Sequence, residues 1–452
     1  MGLLRMVYLL LDDWRRDSNM RIALSSLLLV SLLGAETLDD AMDGFDDEPV
    51  TKKSRSVKPK IEDDLMSGFD EEAKEIFDEK TTHCGKKELS KEEKKSYSLT
   101  GKITEQVAYS YSDDKPHDDF SSLKSSLLLD YEYKFENGFR FKTNAKAYYD
   151  AIYDLRGSDK YSDDELDELR SEVELFDAYV EGSLTDSLDM KLGRQVVVWG
   201  RSDTIRVTDV LNPLDNRRPA MVDIEDLRLP VTMAKFDYFV GDWRVTPIAV
   251  LEQRFSKNPQ FGSAFNPSPR AVPQDRDYFD ITPALSIGGE FSGWDINFYS
   301  AQISKTEDDK TNMYGTALNI LSGSWLLKSE FAYFDDEVRE KDGLLGVEYN
   351  GISDTLISYD IALKKIDGED KSYQHAFRIS SDFINATLKA NYLLSLFGSK
   401  MDEGGFQRAW LKYDISDGIF ANVGVVDYIS GSKRFDLVSD NDMVFMDLTY
   451  SF

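Results

Sequence analysis

Residues 139–150 read FRFKTNAKAYYD, and the character of the side chain alternates along most of this stretch. The odd-numbered positions are apolar, aromatic or small, whereas the even-numbered ones are mostly charged or amide-bearing. Because successive side chains of a strand point to opposite faces, this stretch predicts a strand with one apolar and one polar face. The same period of two recurs in 97–111 and 123–133 and dominates the chain to its end. Long strands of this kind, with aromatic side chains near both ends, are typical of a transmembrane β-barrel, whereas the strands of a soluble sandwich are usually shorter.

The connections between the strands alternate in length, as they do in barrels with short turns on one side of a membrane and longer loops on the other. Eight tight turns are predicted, at 136–138, 185–187, 241–242, 292–293, 323–324, 350–353, 382–383 and 416–418. Nine longer polar loops are predicted, near 113–119, 155–170, 201–228, 255–277, 305–311, 335–341, 366–371, 398–404 and 430–441. With both termini on the short-turn side, this order predicts an all-β antiparallel barrel of 18 strands over 96–452, with 16 or 20 strands as the alternatives.

The N-terminal region predicts export. Met20-Arg21 is followed by the apolar stretch IALSSLLLVSLL (22–33) and then by Gly34-Ala35. A short basic region, an apolar segment of this length and small residues before a cut are the pattern of a cleaved signal peptide. We therefore interpret 1–35 as a signal peptide with translation starting at Met20. The alternative, a membrane-anchoring helix, needs a longer apolar run.

Residues 36–95 predict an acidic, disordered periplasmic tether, because they hold 19 acidic and 12 basic side chains and few apolar ones. One decapeptide appears twice in this tether, as DDAMDGFDDE (39–48) and DDLMSGFDEE (63–72). Apolar anchors in an acidic strip suit docking to a basic groove on a periplasmic or inner-membrane transporter. The predicted docking side chains are Met42, Phe45, Met66 and Phe69. A duplicated spacer without a partner is the alternative, and the single cysteine, Cys84, allows no internal disulfide.

The chain ends VFMDLTYSF (444–452), with apolar or aromatic residues at alternate positions up to a terminal Phe452. This ending resembles the signal that the bacterial barrel-insertion machinery reads on outer-membrane proteins. Together with the signal peptide, it predicts insertion into the outer membrane of a Gram-negative bacterium, with lipid around the barrel and the tether in the periplasm.

The formal net charge of −29 points toward cationic solutes, but many of the acids lie in the tether and loops. By the strand alternation, nine basic residues are predicted to line the lumen wall: Lys102, Lys124, Arg140, Lys142, Lys146, Arg244, Arg378, Lys389 and Arg408. Acids predicted on the same face include Asp130, Glu132, Asp150, Asp237, Glu252, Glu330, Glu348, Asp360 and Asp447. Five further basic residues are predicted on this face: Lys134, Lys235, Lys328, Lys364 and Lys412. The modest basic excess that results favours anionic or carboxylate-bearing solutes. A ladder of lumenal ion pairs without selectivity is the alternative.

The most unusual stretch is LDMKLGRQVVVWGRSDTIRVTDVLNPLDNRRPAMVDIEDLRLP (188–230), in which a strand leads into a long loop. Long loops in barrels are usually functional, and we expect this one to fold inward and narrow the pore. Its predicted constriction and solute-binding residues are Arg194, Gln195, Trp199, Arg201, Arg206, Asn212, Asp215, Arg217 and Arg218. The arginines are expected to grip carboxylates, with Trp199 as a packing or stacking side chain. An external lid held by its own salt bridges is the alternative.

This stretch also carries a family resemblance, in its GRQ, VVV and WG, in the NPLD and RRP that follow, and in the acidic–Arg–Pro close at 225–230. On these motifs the chain resembles the outer-membrane family of domain-of-unknown-function 1302, loosely over 97–452 and not over the tether. The resemblance implies an alginate-export-type, porin-like barrel. It further implies that the barrel functions together with inner-membrane exporters of the resistance-nodulation type. The compounds moved would be hydrophobic or carboxylated.

Chemistry-bearing motifs are sparse. The three histidines are His83, His117 and His375, and no pattern pairs one of them with a nucleophile and an orienting acid. The sequence has no glycine-rich phosphate loop and no metal-ligand cluster, and its acidity argues against nucleic acid. We therefore predict a porin-like channel for small solutes, without cofactor or metal and not an enzyme. A plugged structural or adhesive barrel is the main alternative, and an outer-membrane enzyme is a weaker one.

Overall fold

A computed structural model describes residues 96–112, 120–266, 276–307, 309–431 and 435–452, without the side chains of Ile224 and Glu225. The predicted signal peptide, the tether with its docking side chains, and Cys84 lie outside the described residues. Within these ranges, no helix is both long and apolar enough to cross a membrane.

Eighteen strands form one sheet in the described part of the chain, and the predicted strand number is confirmed. The strands are β1 (Tyr97–Ser110), β2 (Phe120–Lys134), β3 (Arg140–Asp150), β4 (Ser171–Thr185), β5 (Leu188–Gln195), β6 (Val231–Val240), β7 (Trp243–Gln253), β8 (Tyr278–Phe291), β9 (Trp294–Ser304), β10 (Lys310–Ser322), β11 (Trp325–Asp335), β12 (Glu340–Ile352), β13 (Thr355–Ile366), β14 (Ser372–Phe383), β15 (Leu388–Phe397), β16 (Gly405–Ser416), β17 (Ile419–Ile429) and β18 (Met443–Ser451). Short helices occupy the longer loops: α1 (Ile152–Leu155), α2 (Asp163–Leu169) and α3 (Ile224–Leu227), with 3-10 turns at Ser158–Lys160 and Ser439–Asn441.

Each strand pairs antiparallel with its sequence neighbours, and β1 also pairs with β18, so that the sheet closes into a barrel. At this seam, Gly101 and Phe452 exchange two backbone hydrogen bonds, of 2.8 and 2.9 Å. The Phe452 ring covers Gly101 so closely that a Cβ there would lie 2.5 Å from it. Glycine at this position therefore lets the C-terminal ring pack flat on the seam.

The outer face is apolar, as alternation requires of strands in lipid. Large aromatic side chains are exposed beside the short turns, among them Tyr97, Trp243, Trp294, Trp325, Tyr413 and Tyr450. Such aromatic belts lie at the boundary between lipid and water. The outer face of β1 carries one acid, Glu105, which accepts a 2.6 Å hydrogen bond from Ser125 on β2.

Two predicted turns are wrong in position. The first is the turn predicted at 350–353, because 350–352 lie in β12 and the turn is at 353–354. The second is the turn predicted at 382–383. Asp382 and Phe383 remain in β14, paired with Lys389 and Leu388, and the turn lies at 384–387. Its middle residue Asn385 has a φ of 54°, a left-handed conformation that asparagine tolerates better than most residues. The turn therefore forms two residues later than predicted.

The inner face from β6 to β14 is lined in part by small or apolar side chains, including Ala317, Ala332, Ala362 and Ala376, which are buried. They are covered by the connection between β5 and β6, residues 196–230, here called the lumen loop. The loop residues in this buried cluster are Val197, Trp199, Ile205, Val207 and Leu211. The barrel interior therefore holds a core of its own, made by the loop and the wall.

Candidate functional site: the lumen loop

The two ends of the lumen loop are fastened together by Asn212, whose side chain is 1% exposed. Its Oδ1 accepts a 2.8 Å hydrogen bond from the Val197 N–H. Its Nδ2 donates to the carbonyl oxygens of Leu229 (2.8 Å) and Gln195 (3.2 Å). The amide therefore joins the start, middle and end of the loop, as a buried side chain must if its polar atoms are to be satisfied. Nearby, the Asp209 carboxylate accepts a 2.8 Å hydrogen bond from Arg228.

The first attachment to the wall is a cradle around Glu330 of β11, which is 3% exposed. One carboxylate oxygen accepts hydrogen bonds from the N–H groups of Arg201 (2.6 Å) and Ser202 (3.0 Å). The other accepts from the N–H (3.1 Å) and hydroxyl (2.7 Å) of Thr208. Gly200 has a φ of +91°, and a Cβ there would lie 2.8 Å from the carboxylate. The loop backbone therefore binds Glu330 much as a turn of consecutive N–H groups binds an anion.

The same part of the loop makes further contacts with the acidic wall of β9–β13. Asp360 of β13 accepts hydrogen bonds from the hydroxyls of Ser202 (2.6 Å) and Thr204 (2.8 Å). Arg201 pairs with Asp295 of β9. These contacts neutralise or satisfy acids that would otherwise face the lumen.

Trp199 adds an apolar contact to this attachment. Its ring stacks on Tyr299 of β9, with centroids 4.7 Å apart and planes at 21°. Trp199 is 4% exposed, so the ring belongs to the buried loop–wall core. A stacked pair of this kind contributes about 0.5–1.5 kcal/mol beyond its area burial.

The second attachment joins the loop to β2–β4 through two arginines. Arg217 binds Asp215 in a fork, at 2.9 and 2.6 Å, and Glu172 of β4 at 2.7 Å. Arg218 donates to Asp150 at the end of β3 (2.8 Å) and to the Ser122 hydroxyl of β2 (3.0 Å).

Burial around this attachment raises the pKa of the Asp215 carboxyl. Hydrogen bonds and the charge of Arg217 outweigh that effect, so the pKa of Asp215 lies below its usual value. Asp215 is therefore ionised at neutral pH, and the fork is a charged pair.

The third attachment joins the loop to β14–β18. The Tyr428 hydroxyl donates a 2.5 Å hydrogen bond to the Pro219 carbonyl, and Met221 packs in a buried cluster that includes Trp410 and Phe445. The Asp223 carboxylate then lies between two arginines of the wall. It is 3.3 Å from Arg408 of β16 and 3.7 Å from Arg378 of β14.

These three attachments lie on strands spread around the closed barrel. A single loop can reach β3, β11 and β16 together only from the inside. The lumen loop therefore crosses the barrel interior, and its own ion pairs and the wall hold it together.

The predicted loop residues all lie in or at the base of this structure. Arg194 pairs with Glu174 (3.5 Å) and Glu252 (3.7 Å). Gln195 is fully buried, and its amide donates to three backbone carbonyls. Arg206 lies 3.1 Å from Asp209 and donates to a backbone carbonyl. Each predicted arginine of the loop thus has a carboxylate partner in the protein, and its contact with solute remains a prediction.

The nine basic residues predicted to line the lumen all lie on strands. Arg140 donates to Glu181 (2.8 Å), and Lys389 lies 3.8 Å from Asp382, so carboxylates share this wall. Lys146 lies 3.5 Å from the centre of the Phe176 ring. The remaining basic strand residues of the prediction are Lys102, Lys124, Lys142 and Arg244, together with Arg378 and Arg408 at the third attachment.

The partners that hold the loop are not predictable from the local sequence. Glu330 and Asp360 were located on the inner face by alternation, but nothing local indicated that they bind the loop backbone. Asp223 lies within the quoted stretch, yet its acidic neighbours gave no reason to single it out. The signal in the sequence that could identify such a partner is a charged residue on the inner face of a strand, opposite small residues.

The described residues contain no group of three or more His, Cys, Asp or Glu side chains arranged to hold a metal. His375 lies on β14, and its Nδ1 is 2.8 Å from the Tyr359 hydroxyl. His117 lies outside the described residues.

Comparisons with known proteins agree with this architecture. A family model described as a protein of unknown function (DUF1302) matches residues 115–335, which include the lumen loop. Acinetobacter baumannii OccAB3 has a similar solved structure, with a TM-score of 0.50 and 12% identity over 79% of this chain and 98% of that one. Pseudomonas aeruginosa OccD3 (OpdP) has a TM-score of 0.50 and 10% identity over 79% and 91%. No curated protein matches the sequence. Over residues 115–335 the chain therefore matches the DUF1302 family, and its closed 18-stranded barrel resembles those of outer-membrane porins.

Proposed function

We propose that this chain is a porin-like channel of a Gram-negative outer membrane that passes small solutes through a lumen narrowed by the lumen loop. The observation that carries the proposal is the attachment of one loop to three separate parts of the inner wall. A loop fixed across a barrel reduces the open cross-section. Its charged lining then decides which solutes pass.

The charge balance at the loop favours anionic solutes, including carboxylates. The acids Asp295, Glu330 and Asp360 are neutralised by Arg201 or satisfied by loop hydrogen bonds. In contrast, Arg378 and Arg408 share a single carboxylate. Hydrogen bonds from N–H and hydroxyl groups leave the charges of Glu330 and Asp360 in place, so the support for anionic solutes is local. At Arg378 and Arg408, two positive charges face one carboxylate.

The residues of the loop divide into two roles in this proposal. Arg217 and Arg218 hold the loop against β2–β4, because their guanidinium groups are engaged by acids at 2.6–2.9 Å. Solute contact by Arg194, Arg201 and Arg206 remains part of the proposal, since these side chains are 18–25% exposed.

A plugged structural barrel is the second candidate, and the buried loop–wall cluster from Val197 to Ala376 favours it. An enzyme is disfavoured by the likeness to porin folds and by the absence of a recognisable nucleophile–base pair in the sequence.

The reversal potential of the purified full chain in a planar bilayer under a KCl gradient tests the channel. An ohmic conductance with anion-selective sign supports it. No conductance, either in the wild type or in a variant with a weakened loop such as Glu330→Gln, would favour the plugged barrel instead.

We also propose that the repeated acidic peptide of the tether, 39–48 and 63–72, docks on a periplasmic or inner-membrane transport partner. Its support is the paired Met and Phe in each copy. Retrieval of an inner-membrane transporter by the exported full chain, but not by a variant with Phe45 and Phe69 replaced by Ser, is the expected result. Equal retrieval by both would contradict docking.

A further inference from the structure

Asp223 is held more loosely than Asp150 and Asp215, which bind Arg218 and Arg217. Each of its oxygens faces a different guanidinium group, Oδ1 that of Arg408 at 3.3 Å and Oδ2 that of Arg378 at 3.7 Å. By comparison, Asp150 lies 2.8 Å from Arg218, and Asp215 forms a fork with its arginine at 2.6 and 2.9 Å. Asp223 therefore bridges two arginines loosely and forms a tight fork with neither.

The two arginines can bind an anion more strongly than they bind Asp223. Arg408 is only 7% exposed in its side chain, and its guanidinium lies 4.1 Å from the Trp410 ring centre and 5.5 Å from that of Phe445. The Nε atoms of both Arg378 and Arg408 are buried and have no hydrogen-bond partner among the described residues. A buried guanidinium with an unused donor is costly, so an additional acceptor at this place would stabilise the site.

Firm attachments lie on both sides of Asp223 in the chain. Met221 is packed in the wall cluster, and Arg228 is bound to Asp209 at 2.8 Å. Between them, Val222 and Asp226 are exposed, and Asp223 itself is 32% exposed in its side chain. Withdrawal of Asp223 therefore disturbs neither the Glu330 cradle nor the Arg217 fork.

We propose that Arg378 and Arg408 form a carboxylate-binding site whose resident ligand is the loop's own Asp223. A monocarboxylate solute takes the place of Asp223 as it passes. This inference rests on the proposed channel and adds the binding site and its internal competitor. The exchange replaces one carboxylate by another, so the net charge of the site is the same before and after it, and no covalent bond is formed or broken.

The arrangement of the pair, with one guanidinium group facing each oxygen of Asp223, selects the class of solute. A carboxylate offers two coplanar oxygens, one to each guanidinium, whereas chloride is a single centre and cannot contact both groups in this way. Solutes with one carboxylate are therefore expected to bind more strongly than chloride of equal charge.

Because Asp223 competes with the solute, its replacement should change the apparent affinity of the site for a carboxylate. If the site is free of Asp223 less than about a tenth of the time, removal of its charge raises the apparent affinity for a carboxylate about tenfold or more. Asp223→Asn keeps the size of the side chain, and Asp226→Asn removes the same charge from an exposed position three residues away. The second variant controls for a general change in lumen potential.

Two measurements test the proposal, both with acetate as the probe and with the full chain. In planar bilayers, acetate should reduce the chloride current of Asp223→Asn at about a tenth of the concentration needed for the wild type and for Asp226→Asn. Replacement of both Arg378 and Arg408 by Gln should remove the acetate effect. Equal shifts in the two Asn variants, or an acetate effect that survives the double Gln variant, would overturn the proposal.

The second measurement does not depend on conduction. In detergent, acetate at constant ionic strength should raise the thermal unfolding temperature of Asp223→Asn more than that of the wild type, with chloride as the reference anion. If the protein binds acetate in this way but does not conduct, the proposed channel is refuted and the proposed binding site is supported. If the protein conducts, but acetate and chloride change the unfolding temperature of Asp223→Asn equally, the channel is supported and the binding site is refuted.

Discussion

Replacement of Glu330 by Gln tests whether the carboxylate cradle holds the lumen loop in the barrel. The native carboxylate accepts four hydrogen bonds from three loop residues. Gln keeps one acceptor oxygen and presents an NH₂ group to donors, so about half of these bonds are lost and the charge that strengthens the rest disappears. Hydrogen bonds to charged groups contribute about 1.5–3 kcal/mol each, and an unsatisfied buried donor costs about 1–3 kcal/mol. Because such effects are not additive, we expect the attachment to weaken by about 3 kcal/mol.

This loss increases the released fraction of the loop about a hundredfold. Limited trypsin digestion after Arg201 or Arg206 of the protein in lipid should report it, since cleavage follows the open population when reclosing is fast. The single-channel conductance should also rise. Asp342→Asn is the matched control, because it removes one acid from the neighbouring strand β12. The carboxylate of Asp342 lies 3.9 Å from Lys364. Wild-type cleavage and conductance in Glu330→Gln would refute the reasoning.

Three further predictions use the same loop. Gly200→Ala should release the loop as Glu330→Gln does, because its Cβ would lie 2.8 Å from the carboxylate, whereas Gly241→Ala, with φ +58° and open space, should leave the trypsin rate unchanged. Arg217→Met leaves Asp215 without its ion-pair partner and removes one of the two cations on Glu172, which keeps Lys257, and it should destabilise the barrel by about 3 kcal/mol; an unchanged thermal unfolding temperature would rule out its anchoring role. The pKa of Asp215 is lowered in the fold, so its contribution exists above its unfolded pKa of about 3.9 and is lost as pH falls through the folded value. Wild type and Asp215→Asn should therefore differ in unfolding temperature by a constant amount from neutral pH down to about pH 5 and converge below about pH 4; a difference that changes near neutral pH would contradict this assignment.

The strand architecture could be predicted because it depends on local patterns. Alternation identifies a strand from its own residues, and short turns between long strands give the strand number. The pattern weakens where the loop covers the inner wall. In β10, the inward residues Met313 and Ala317 are fully buried, while Tyr314 and Leu318 on the outer face are also apolar. Both faces of such a strand are apolar for different reasons, and alternation cannot separate lipid contact from loop contact.

The site could be predicted only in part, because its partners are distant in sequence. The stretch 188–230 was recognisable from its length and its arginines. The acids that bind those arginines lie far away along the chain, as Asp150 does from Arg218. Charge pairs between strands and a loop leave no local period, so the sequence indicated the basic residues and left their partners open.

The third attachment has a consequence for the seam between β1 and β18. Arg218 is bound on β2 and β3, whereas Met221 packs in a cluster that includes Ala108 of β1 and Phe445 of β18. The four successive loop residues 218–221 thus span the seam between β1 and β18 on the inside of the barrel. Both sets of contacts are made together only when the two edges have met, so their combination stabilises the closed barrel relative to an open sheet. The loop that narrows the lumen therefore also makes closing the ring more cooperative.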